Sequence, residues 1–527
     1  MTVTIYQDGV KKVLSPEEPC LLSQLLNESQ THVDMPCGGR GKCLKCRVRA
    51  EGSLSAVTEE ERAVFSEEQL AEGWRLACLT TAEGDVTMYA EAPKKQLILT
   101  AGALPELPLD PLGKNHGISV DIGTTTVAAY LYNLSDGTLL GTASMPNPQR
   151  AFGADVISRL GKAKEEGLGR DEAVAIRQGL NKLFARLLKT NNVDAAAVDS
   201  VVLTGNTAML YLLTEQPVDS IISVPFIQDR WYGEYLTAAQ LELALLPETP
   251  VYLSRCISAY VGGDITSSAM TAELFRRPAD APTCLLMDIG TNGEMIPFHQ
   301  GKMFCCSTAA GPTFEGAGLH MGMNAGDGAI SKVKLDGNTL QLNIIGDVEA
   351  KGICGSGIID AVAALLNAEV LDETGRMDDE DPNWESCMTE YDNRPAFRFP
   401  GTQVLVTQKD IREVQLAKSA ICAGILSMLH VAGCTTDDVQ EVFIAGGFGN
   451  YMDANSAERI GLLPEGFAAK VKPIGNAAGA GASMVLLSET MRRISEEMSK
   501  SIETLELSTD PVFIKEFTDQ MLFPEGE

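Results

Sequence analysis

Four cysteines near the N-terminus have the type and spacing of metal ligands. They form the pattern C-x5-C-x2-C-x31-C, with Cys37, Cys43 and Cys46 in a glycine-rich stretch and Cys78 further along the chain. Four thiolates are the ligands that a [2Fe–2S] cluster requires, and glycines let the backbone wrap closely around such a cluster. The spacing therefore predicts a [2Fe–2S] site at these four residues. Zinc binding and free thiols are the alternatives.

Two later stretches have the form of phosphate-binding turns. Asp121–Thr126 follows one apolar run, and Asp288–Gly293 follows another. In such a turn the glycine lets backbone N–H groups approach phosphate oxygens, the hydroxyl groups add donors, and the aspartate reaches Mg²⁺ or its waters. A single Asp-Gly turn is weak because hairpins also use it. Two turns predict the opposite walls of a triphosphate site.

These turns belong to an internal repeat. Residues 118–126 match 285–293, residues 201–206 match 442–450, and residues 262–270 match 475–484 more weakly. Three motif pairs in the same order predict two copies of one fold.

Two glycine-rich junctions extend the predicted nucleotide site. Ile444–Asn450 has the form of a turn on which a purine-ribose lies against bare backbone, with tight helix packing as the alternative. Lys351–Asp360 reads as a strand followed by a helix whose N-terminus is open to an anion. The predicted site has Asp121 and Asp288 as its catalytic, Mg²⁺-binding carboxylates. Its other predicted contacts are Gly123, Thr124, Thr125, Thr126, Gly290, Thr291, Asn292, Gly293, Gly446, Gly447 and Gly449.

The elements that must position these residues suggest a multidomain protein with α+β and α/β parts. Residues 1–92 alternate like short strands around the cysteine loop, and residues 93–117 are a proline-rich, semi-extended linker. Residues 118–284 and 285–527 carry one repeat copy each. The second copy holds an acidic insertion near 369–400, which we expect to be a solvated loop; a partner-binding patch is the alternative.

Composition limits the class of protein. A chain of 527 residues is too long for one core. A net charge of −29 argues against nucleic acid as a partner. No apolar run is long enough for a membrane span, and the N-terminus has no signal-peptide pattern. Thirteen cysteines without export predict a reducing cytoplasm.

Basic residues crowd the cysteine loop. No acidic residue lies between Met35 and Ala50, and the basic residues there are Arg40, Lys42, Lys45, Arg47 and Arg49. A solvated strand face and a docking surface for an acidic redox partner are both compatible with this pattern.

The chain resembles two known families in sequence. Residues 1–92, with Trp74–Cys78 where the last ligand is expected, resemble ferredoxins of the β-grasp type. The paired turns and Ile444–Asn450 resemble the superfamily of actin, sugar kinases and heat-shock chaperones. In that superfamily, Ala259–Met270 and Gly475–Leu487 would be the two connecting helices at the hinge. The fusion of both resembles the reductive activators of corrinoid proteins.

This last resemblance implies a function. Such an activator uses ATP and Mg²⁺ to drive an electron from a [2Fe–2S] cluster onto Co(II) of a corrinoid protein. The Co(I) that results supports methyl transfer in a methyltransferase system of anaerobic metabolism. The resemblance also implies a homodimer and a separate electron donor of unknown identity.

Three rival functions remain open from the residues alone. An activator of a radical dehydratase would carry its cluster within the ATPase lobes, where the remaining cysteines have no C-x-x-C spacing. A small-molecule kinase with an attached redox domain would need a base, for which Asp264 is a candidate, although hinge packing explains that residue equally well. A nucleotide-gated binding module with a structural cluster is the third.

Overall fold

The computed structural model describes residues 1–7, 10–29, 31, 33, 35, 41, 44, 46–90, 104–153, 155–346, 348–378 and 382–525. Cys37 and Cys43 lie outside the described residues.

The N-terminal unit is a mixed sheet with the arrangement of a β-grasp domain. The strand order is β2-β1-β6-β4-β5, with β3 beside β6, and the central pair β1 and β6 is parallel. Leucines of α1 are buried against the sheet in one apolar core. This confirms the predicted ferredoxin-like fold. The elements are β1 (Val3–Gln7), β2 (Val10–Leu14), β3 (Cys20–Leu21), α1 (Leu22–Glu28), β4 (Arg47–Leu54), α2 (Glu59–Val64), α3 (Glu67–Ala71), β5 (Trp74–Leu76) and β6 (Thr81–Tyr89).

The first lobe of the duplicated unit is built on a six-stranded sheet of order β11-β12-β10-β7-β8-β9. Its central strands are apolar on both faces because helices cover them. The elements are β7 (His116–Ile122), β8 (Thr126–Asn133), β9 (Leu139–Pro146), α4 (Val156–Glu165), α5 (Gly169–Thr190), β10 (Val198–Gly205), α6 (Thr207–Leu213), α7 (Asp219–Ile222), β11 (Glu234–Thr237), β12 (Pro250–Leu253) and α8 (Gly263–Thr271).

The second lobe has a six-stranded sheet of order β23-β22-β13-β14-β15-β24 and two small three-stranded sheets. Its main sheet is formed by β13 (Thr283–Ile289), β14 (Gly293–His299), β15 (Lys302–Thr308), β22 (Val439–Ala445), β23 (Val471–Gly475) and β24 (Glu503–Thr504). The small sheets are β16 (Ala329–Asp336), β17 (Thr339–Ile344), β18 (Gly352–Ile353), and β19 (Met388–Tyr391), β20 (Arg394–Arg398), β21 (Leu405–Thr407). The helices are α9 (Gly355–Asn367), α10 (Gln408–Ala432), α11 (Gly446–Tyr451), α12 (Ala454–Arg459), α13 (Ala477–Leu487), α14 (Glu489–Ser501) and α15 (Pro511–Asp519).

The two main sheets repeat one topology. In each, an antiparallel hairpin carries a phosphate turn and its first strand pairs in parallel with a later strand. The register is equivalent, since Asp121 pairs with Thr204 and Asp288 pairs with Ala445. The predicted duplication is therefore present in the fold, and both aspartates lie at the carboxyl end of a central strand.

The two connecting helices are exchanged between the lobes. Helix α13 follows the second-lobe strand β23 but packs on the first-lobe sheet. Helix α8 follows the first lobe but is buried in a core with second-lobe strands. The helices also touch each other closely, because a Cβ on Gly481 would lie 2.0 Å from the carbonyl oxygen of Ser267. Both helices therefore meet at the base of the cleft, and their role as its hinge stays a prediction.

The acidic insertion is folded, which corrects the expectation of a solvated loop. Strands β19–β21 form an antiparallel sheet, and Trp384, Phe397 and Phe399 are buried in the second-lobe core. The sequence pattern did not predict this core, because the apolar residues that form it are spaced widely among charged and polar residues. Residues 379–381 lie outside the described residues.

The second half of the predicted linker is attached to the lobes. Leu104 and Leu107 pack against the cores beside α8 and α13. Asp110 accepts hydrogen bonds from the hydroxyl groups of Ser488 and Thr490 at the start of α14, the latter at 2.6 Å. Residues 104–110 of the predicted linker are therefore attached to the lobes and do not form a free tether. The predicted domain boundaries stay a prediction, because residues 91–103 lie outside the described residues.

Among the described residues, one helix, α10, is long and apolar enough to cross a membrane, and most of that apolar stretch is buried inside the second lobe. Its burial explains its composition as that of a core helix.

Candidate functional site

A cavity of about 350 Å³ lies between the two lobes. Its wall includes both predicted phosphate turns, the N-termini of α9 and α11, and the start of α13. The predicted residues that line it are Asp121, Gly123, Thr124, Thr125, Thr126, Asp288, Gly290, Thr291, Asn292, Gly446 and Gly447.

The first phosphate turn is held in shape by its own backbone. The N–H of Gly123 donates to the carbonyl oxygen of Thr126 at 2.9 Å. A Cβ on Gly123 would lie 2.7 Å from that same oxygen, so only glycine fits there. The tight turn leaves the hydroxyl groups of Thr124, Thr125 and Thr126 at the cavity wall.

Three first-lobe side chains support this turn from behind. Arg159, which is fully buried, donates from Nη2 to the carbonyl oxygen of Thr124 at 2.6 Å. Asn206 donates to the Thr124 hydroxyl oxygen at 3.0 Å, and Asn147 donates to the carbonyl oxygen of Gly123 at 2.8 Å. Buried charged and amide donors of this kind fix a loop more firmly than surface contacts do.

The second turn closes one residue earlier than the first. The N–H of Gly290 donates to the carbonyl oxygen of Asn292 at 2.8 Å, and Thr291 and Asn292 face the cavity. The two turns are joined by Glu315: its Oε2 accepts a hydrogen bond from Thr125 at 3.2 Å and one from Thr291 at 3.0 Å. The sequence contained no signal for Glu315, since it lies in none of the paired motifs of the repeat.

Carboxyl groups concentrate at the floor of the cavity. Burial raises the pKa of Asp121 to about 7; a hydrogen bond with Asn476 lowers it and the Asp288 charge raises it further. Burial and the Glu315 charge raise the pKa of Asp288 to about 6. Burial and both aspartates raise the pKa of Asp264 to about 8.

Glu294 completes this group. Its pKa lies well above the ordinary value because of burial and because of the charges on Asp264 and Asp288. Carboxylates that repel one another in a buried site are stabilised when a divalent cation neutralises them. The floor of the cavity therefore fits Mg²⁺, with Asp121 and Asp288 as the proposed ligands.

The predicted adenosine motif begins a helix at the cavity wall. Gly446, the first residue of α11, has φ of +86°, and a Cβ there would lie 2.8 Å from Oδ1 of Asp288. Gly447 has open space beside it. Phe448 stacks on Phe314 with ring centroids 5.5 Å apart. The motif thus offers bare backbone at one end of the cavity, as expected for a nucleoside.

Two predicted glycines do not line the cavity. Gly293 begins strand β14, where a Cβ would approach Thr308 and Ile421. Gly449 faces Ile444, with a Cβ contact of 2.2 Å. Both have a packing explanation. Residues at the wall that the sequence did not assign to nucleotide include Glu294, Asn324, Tyr451 and Asn476.

The helix α9 confirms the predicted strand–glycine–helix junction. Cys354, Gly355 and Ser356 line the cavity, and Cys354 is the N-cap of this 13-residue helix. Its unpaired N–H groups and its dipole favour an anion. Its contact with nucleotide stays a prediction.

In the N-terminal unit, two of the four predicted ligands are described, and they lie together. The Sγ atoms of Cys46 and Cys78 are 3.2 Å apart, and both residues are buried. This separation lets two thiolates bind the same iron. Cys37 and Cys43 lie outside the described residues. The donor chemistry that is described fits a [2Fe–2S] cluster.

The strand leading to Cys78 is fixed by a buried carboxylate. Glu61 accepts from Arg75 at 3.0 Å, from the N–H of Leu76 at 2.9 Å and from the hydroxyl of Thr80 at 2.9 Å. Burial alone would raise the pKa of Glu61, but these hydrogen bonds hold it below its ordinary value. The Glu61–Arg75 pair therefore positions both ends of the turn that carries Cys78.

Two of the basic residues around the cysteine loop, here called the basic collar, make contacts within the N-terminal domain. The Arg47 guanidinium lies 5.5 Å from the centre of the Phe65 ring, and Arg49 pairs with Glu51 at 3.0 Å. Arg40, Lys42 and Lys45 lie outside the described residues. A docking surface at the collar stays a prediction.

Two sheets of one topology around a phosphate cleft, preceded by a ferredoxin domain, define a protein with an actin-like nucleotide-binding fold and an electron-transfer unit. Three family models match the chain: "2Fe-2S iron-sulfur cluster binding domain" at residues 5–83, "RACo middle region" at 116–277 and "C-terminal domain of RACo the ASKHA domain" at 282–527.

The chain is 35% identical over 425 residues to the corrinoid activation enzyme RamQ of Eubacterium limosum, covering 78% of this chain and 71% of RamQ. It is 24% identical over 434 residues to a Methanosarcina barkeri protein named "[Co(II) methylated amine-specific corrinoid protein] reductase", covering 76% of this chain and 75% of that protein. A solved structure named "Reductive activator for corrinoid,iron-sulfur protein" is similar with a TM-score of 0.72 and 27% identity, over 100% of this chain and 99% of that chain. This protein belongs to the RACo-type family of reductive activators of corrinoid proteins.

Proposed function

We propose that this protein uses ATP to drive one electron from its N-terminal [2Fe–2S] cluster onto Co(II) of a corrinoid protein, which regenerates Co(I). The observation that carries the proposal is the presence, in one chain of this family, of the paired thiols Cys46 and Cys78 and a two-walled phosphate cleft. A cluster domain alone would donate electrons only downhill, and an ATPase alone would have no electron to give.

The need for ATP follows from redox potentials. A plant-type [2Fe–2S] centre has a potential of about −400 mV, whereas the resemblance implies a lower potential for the Co(II)/Co(I) pair. The cluster, when bound, supplies one-electron transfer. The free energy for the uphill step comes from nucleotide binding and hydrolysis in the cleft.

The residues of the cleft have separate tasks in this scheme. The backbone N–H groups of Thr124–Thr126 and Thr291–Asn292, with the hydroxyl groups of Thr124 and Thr126, bind the phosphates from opposite lobes. Asp121 and Asp288 would hold Mg²⁺, and the cation would offset the repulsion between the buried carboxylates that raises their pKa. Bare backbone at Gly446 and Gly447 accommodates the nucleoside. Because each lobe supplies one phosphate turn, nucleotide binding draws the lobes together.

The partner in this proposal is the corrinoid protein of a methyltransferase system. A separate low-potential donor recharges the cluster. The protein works as a homodimer in the cytoplasm, as the family resemblance implies.

The structure gives the rival functions less support. Among the described residues no group of three or more His, Cys, Asp and Glu side chains is arranged as a metal site within the lobes, and the cysteines there are buried. A dehydratase-type cluster in the lobes has no described ligands. Asp264 lines the cleft as a kinase base would, but the relation to RamQ across both lobes favours an activator.

The test is anaerobic reduction of a corrinoid protein. The reduced protein is mixed with Co(II) corrinoid protein and with ATP, ADP or no nucleotide, and the Co(II) electron paramagnetic resonance signal is followed. We expect the signal to disappear only with ATP, together with ATP turnover that the corrinoid protein stimulates and sugars do not. Equal reduction without nucleotide would contradict the proposal.

A further inference from the structure

Glu315 occupies an unusual position in the cleft. One oxygen of its carboxylate, Oε2, accepts hydrogen bonds from both phosphate turns: from Thr125 of the first lobe and Thr291 of the second. It therefore lies at the point where hydroxyl groups from the phosphate turns of both lobes converge. In the proposed function, that point is next to the terminal phosphate of the bound triphosphate.

The second oxygen of Glu315 is differently placed. A Cβ on Gly290 would lie 3.5 Å from Oε1, so this oxygen faces the second phosphate turn. Oε1 accepts no hydrogen bond among the described residues, whereas Oε2 accepts two. The carboxylate is thus held by one oxygen and has the other available as an acceptor.

The backbone around Glu315 is rigid. Glu315 ends a short helical turn, Pro312–Glu315, in which Thr313 and Phe314 are buried. Gly316 follows with φ of +75°, and a Cβ there would lie 2.2 Å from the carbonyl oxygen of Met323. Phe314 in turn stacks on Phe448 of α11.

The helix α9 also fixes this turn. A Cβ on Gly355 would lie only 1.7 Å from the carbonyl oxygen of Phe314, so the two backbones are in direct contact. A side chain on so firm a support is suited to orient a reactant. It is poorly suited to swing aside as a stand-in for phosphate.

The other carboxyl groups of the cavity are placed for a different task. Asp121, Asp264, Asp288 and Glu294 lie close enough to influence one another's charge at the floor, which suits a cation. Glu315 alone among the described carboxylates of the wall is bonded to the threonines of both turns, although its charge also acts on Asp288. Its hydrogen bonds therefore place it between the two turns, beside the group of carboxyls that suits a cation.

We propose that Glu315 positions the water that attacks the γ-phosphorus of ATP and accepts its proton. The water oxygen forms a bond to phosphorus, the bond from phosphorus to the β–γ bridging oxygen breaks, and the water proton passes to Oε1. ADP and phosphate are the products, and the proton then leaves to solvent or phosphate. Thr125 and Thr291 act as positioning residues for the carboxylate. This inference rests on the ATP hydrolysis in the proposed function.

The test compares Glu315→Gln with Glu390→Gln, a control on the exposed strand β19. The glutamine keeps the shape and one acceptor oxygen but cannot take the proton. We expect the kcat for ATP hydrolysis in the presence of corrinoid protein to fall about 10²–10⁴-fold, the range for loss of a general base. The Kd for ATP and the midpoint of thermal unfolding should stay close to those of the wild type. The control should match the wild type throughout.

A second variant, Glu315→Asp, keeps the charge but withdraws the carboxylate by one methylene. We expect an intermediate loss of kcat with unchanged ATP affinity, and this variant decides the matter if the glutamine variant does not fold. A Glu315→Gln protein that hydrolyses ATP at the wild-type rate and binds it more tightly would overturn the inference, because Glu315 would then be only a stand-in for phosphate. Joint loss of affinity, turnover and thermal stability in both variants would make its role structural and overturn it too.

The wild type separates this inference from the proposed function. Normal turnover and Co(I) formation in the wild type with unaffected variants would reject the role of Glu315 alone. A wild type that forms Co(I) without any ATP turnover would reject both the inference and hydrolysis as the driving step.

Discussion

Gly446 is the residue at which the adenosine motif and the second phosphate turn meet. Its φ of +86° favours glycine, and its missing side chain leaves room for Oδ1 of Asp288 at 2.8 Å from the Cβ position. Gly433, the C-cap of α10, has a similar φ of +76° but no neighbour within 4 Å of its Cβ position. Alanine variants at these two glycines therefore distinguish the effect of backbone strain from the effect of contact with the proposed Mg²⁺ ligand.

We expect Gly446→Ala to raise the Kd for Mg-ATP at least about tenfold, which corresponds to about 1.4 kcal/mol. The strain of a left-handed residue is about 1–2 kcal/mol in either variant, so Gly433→Ala should lose stability but bind Mg-ATP like the wild type. Isothermal titration calorimetry measures both affinities. Equal affinity losses in the two variants would show that strain alone is responsible.

Glu172 should make the stability of the first lobe depend on pH. It is fully buried, and neither carboxyl oxygen has a hydrogen-bond partner among the described residues. Burial raises its pKa to about 8 from an ordinary 4.5, although the Arg159 charge lowers it. Between these values the folded protein keeps the proton and the unfolded chain does not, so the free energy of unfolding falls as pH rises.

The expected slope is up to about 1.4 kcal/mol per pH unit for one proton. Glu172→Gln should remove that slope and stabilise the protein at pH 8 more than at pH 5, whereas Glu165→Gln on the exposed face of α4 should change neither. Denaturant unfolding at both pH values measures the difference. An unchanged slope in Glu172→Gln would mean that Glu172 is ionised in the folded state.

The residues of the site were predictable where a local pattern encodes them. Both phosphate turns and Gly446 follow from a strand, an aspartate or glycine, and small polar residues. Glu315 and Arg159 were not predictable in this way, because each reaches the site from a separate loop or helix that carries no motif. Gly293 and Gly449 belong to the same motifs as the cavity residues, but a motif does not say which glycines face a ligand and which face the core.

At the scale of elements, the predicted hinge is the feature that links the lobes to the rest of the chain. Helices α8 and α13 are exchanged between the two sheets, and the linker residues 104–110 lie beside them. The repeat in the sequence predicted these helices, but their exchange depends on contacts far apart in the chain. The acidic insertion was misjudged for a related reason, since its buried aromatic side chains pack both on one another and on the second-lobe core, which lies far away in the chain.

The linker contact predicts coupling between the cleft and the ferredoxin domain. Asp110 receives hydrogen bonds from Ser488 and Thr490 at the start of α14. Asp110→Ala should release this part of the linker and lower the yield of Co(I) per ATP hydrolysed, because lobe closure would no longer move the base of the tether. Glu106→Ala, at an exposed linker residue, is the matched control.

The measurement is the ratio of Co(I) formed to phosphate released in the same sample. An unchanged ratio in Asp110→Ala would show that the attachment of the linker does not take part in coupling.

In the whole molecule, one chain joins an electron-transfer domain to a nucleotide cleft. The fold class and the family were both predictable, because the cysteine spacing and the duplicated turns can be recognised in the sequence without knowledge of the tertiary structure. The arrangement of the cluster ligands is described only for Cys46 and Cys78. Their sulfurs lie 3.2 Å apart in a buried turn, which provides the most direct target for a test of the joint function.

The decisive measurement is ATP-dependent formation of Co(I) by Cys78→Ser, with Cys20→Ser as the control from the same domain. Cys20 lies in β3, and the ligand pattern does not include it. We predict that Cys78→Ser binds ATP like the wild type but forms no Co(I) above background, while Cys20→Ser reduces Co(II) at the wild-type rate. Formation of Co(I) by Cys78→Ser at the wild-type rate would contradict the account, because the electron would then not come from the cluster.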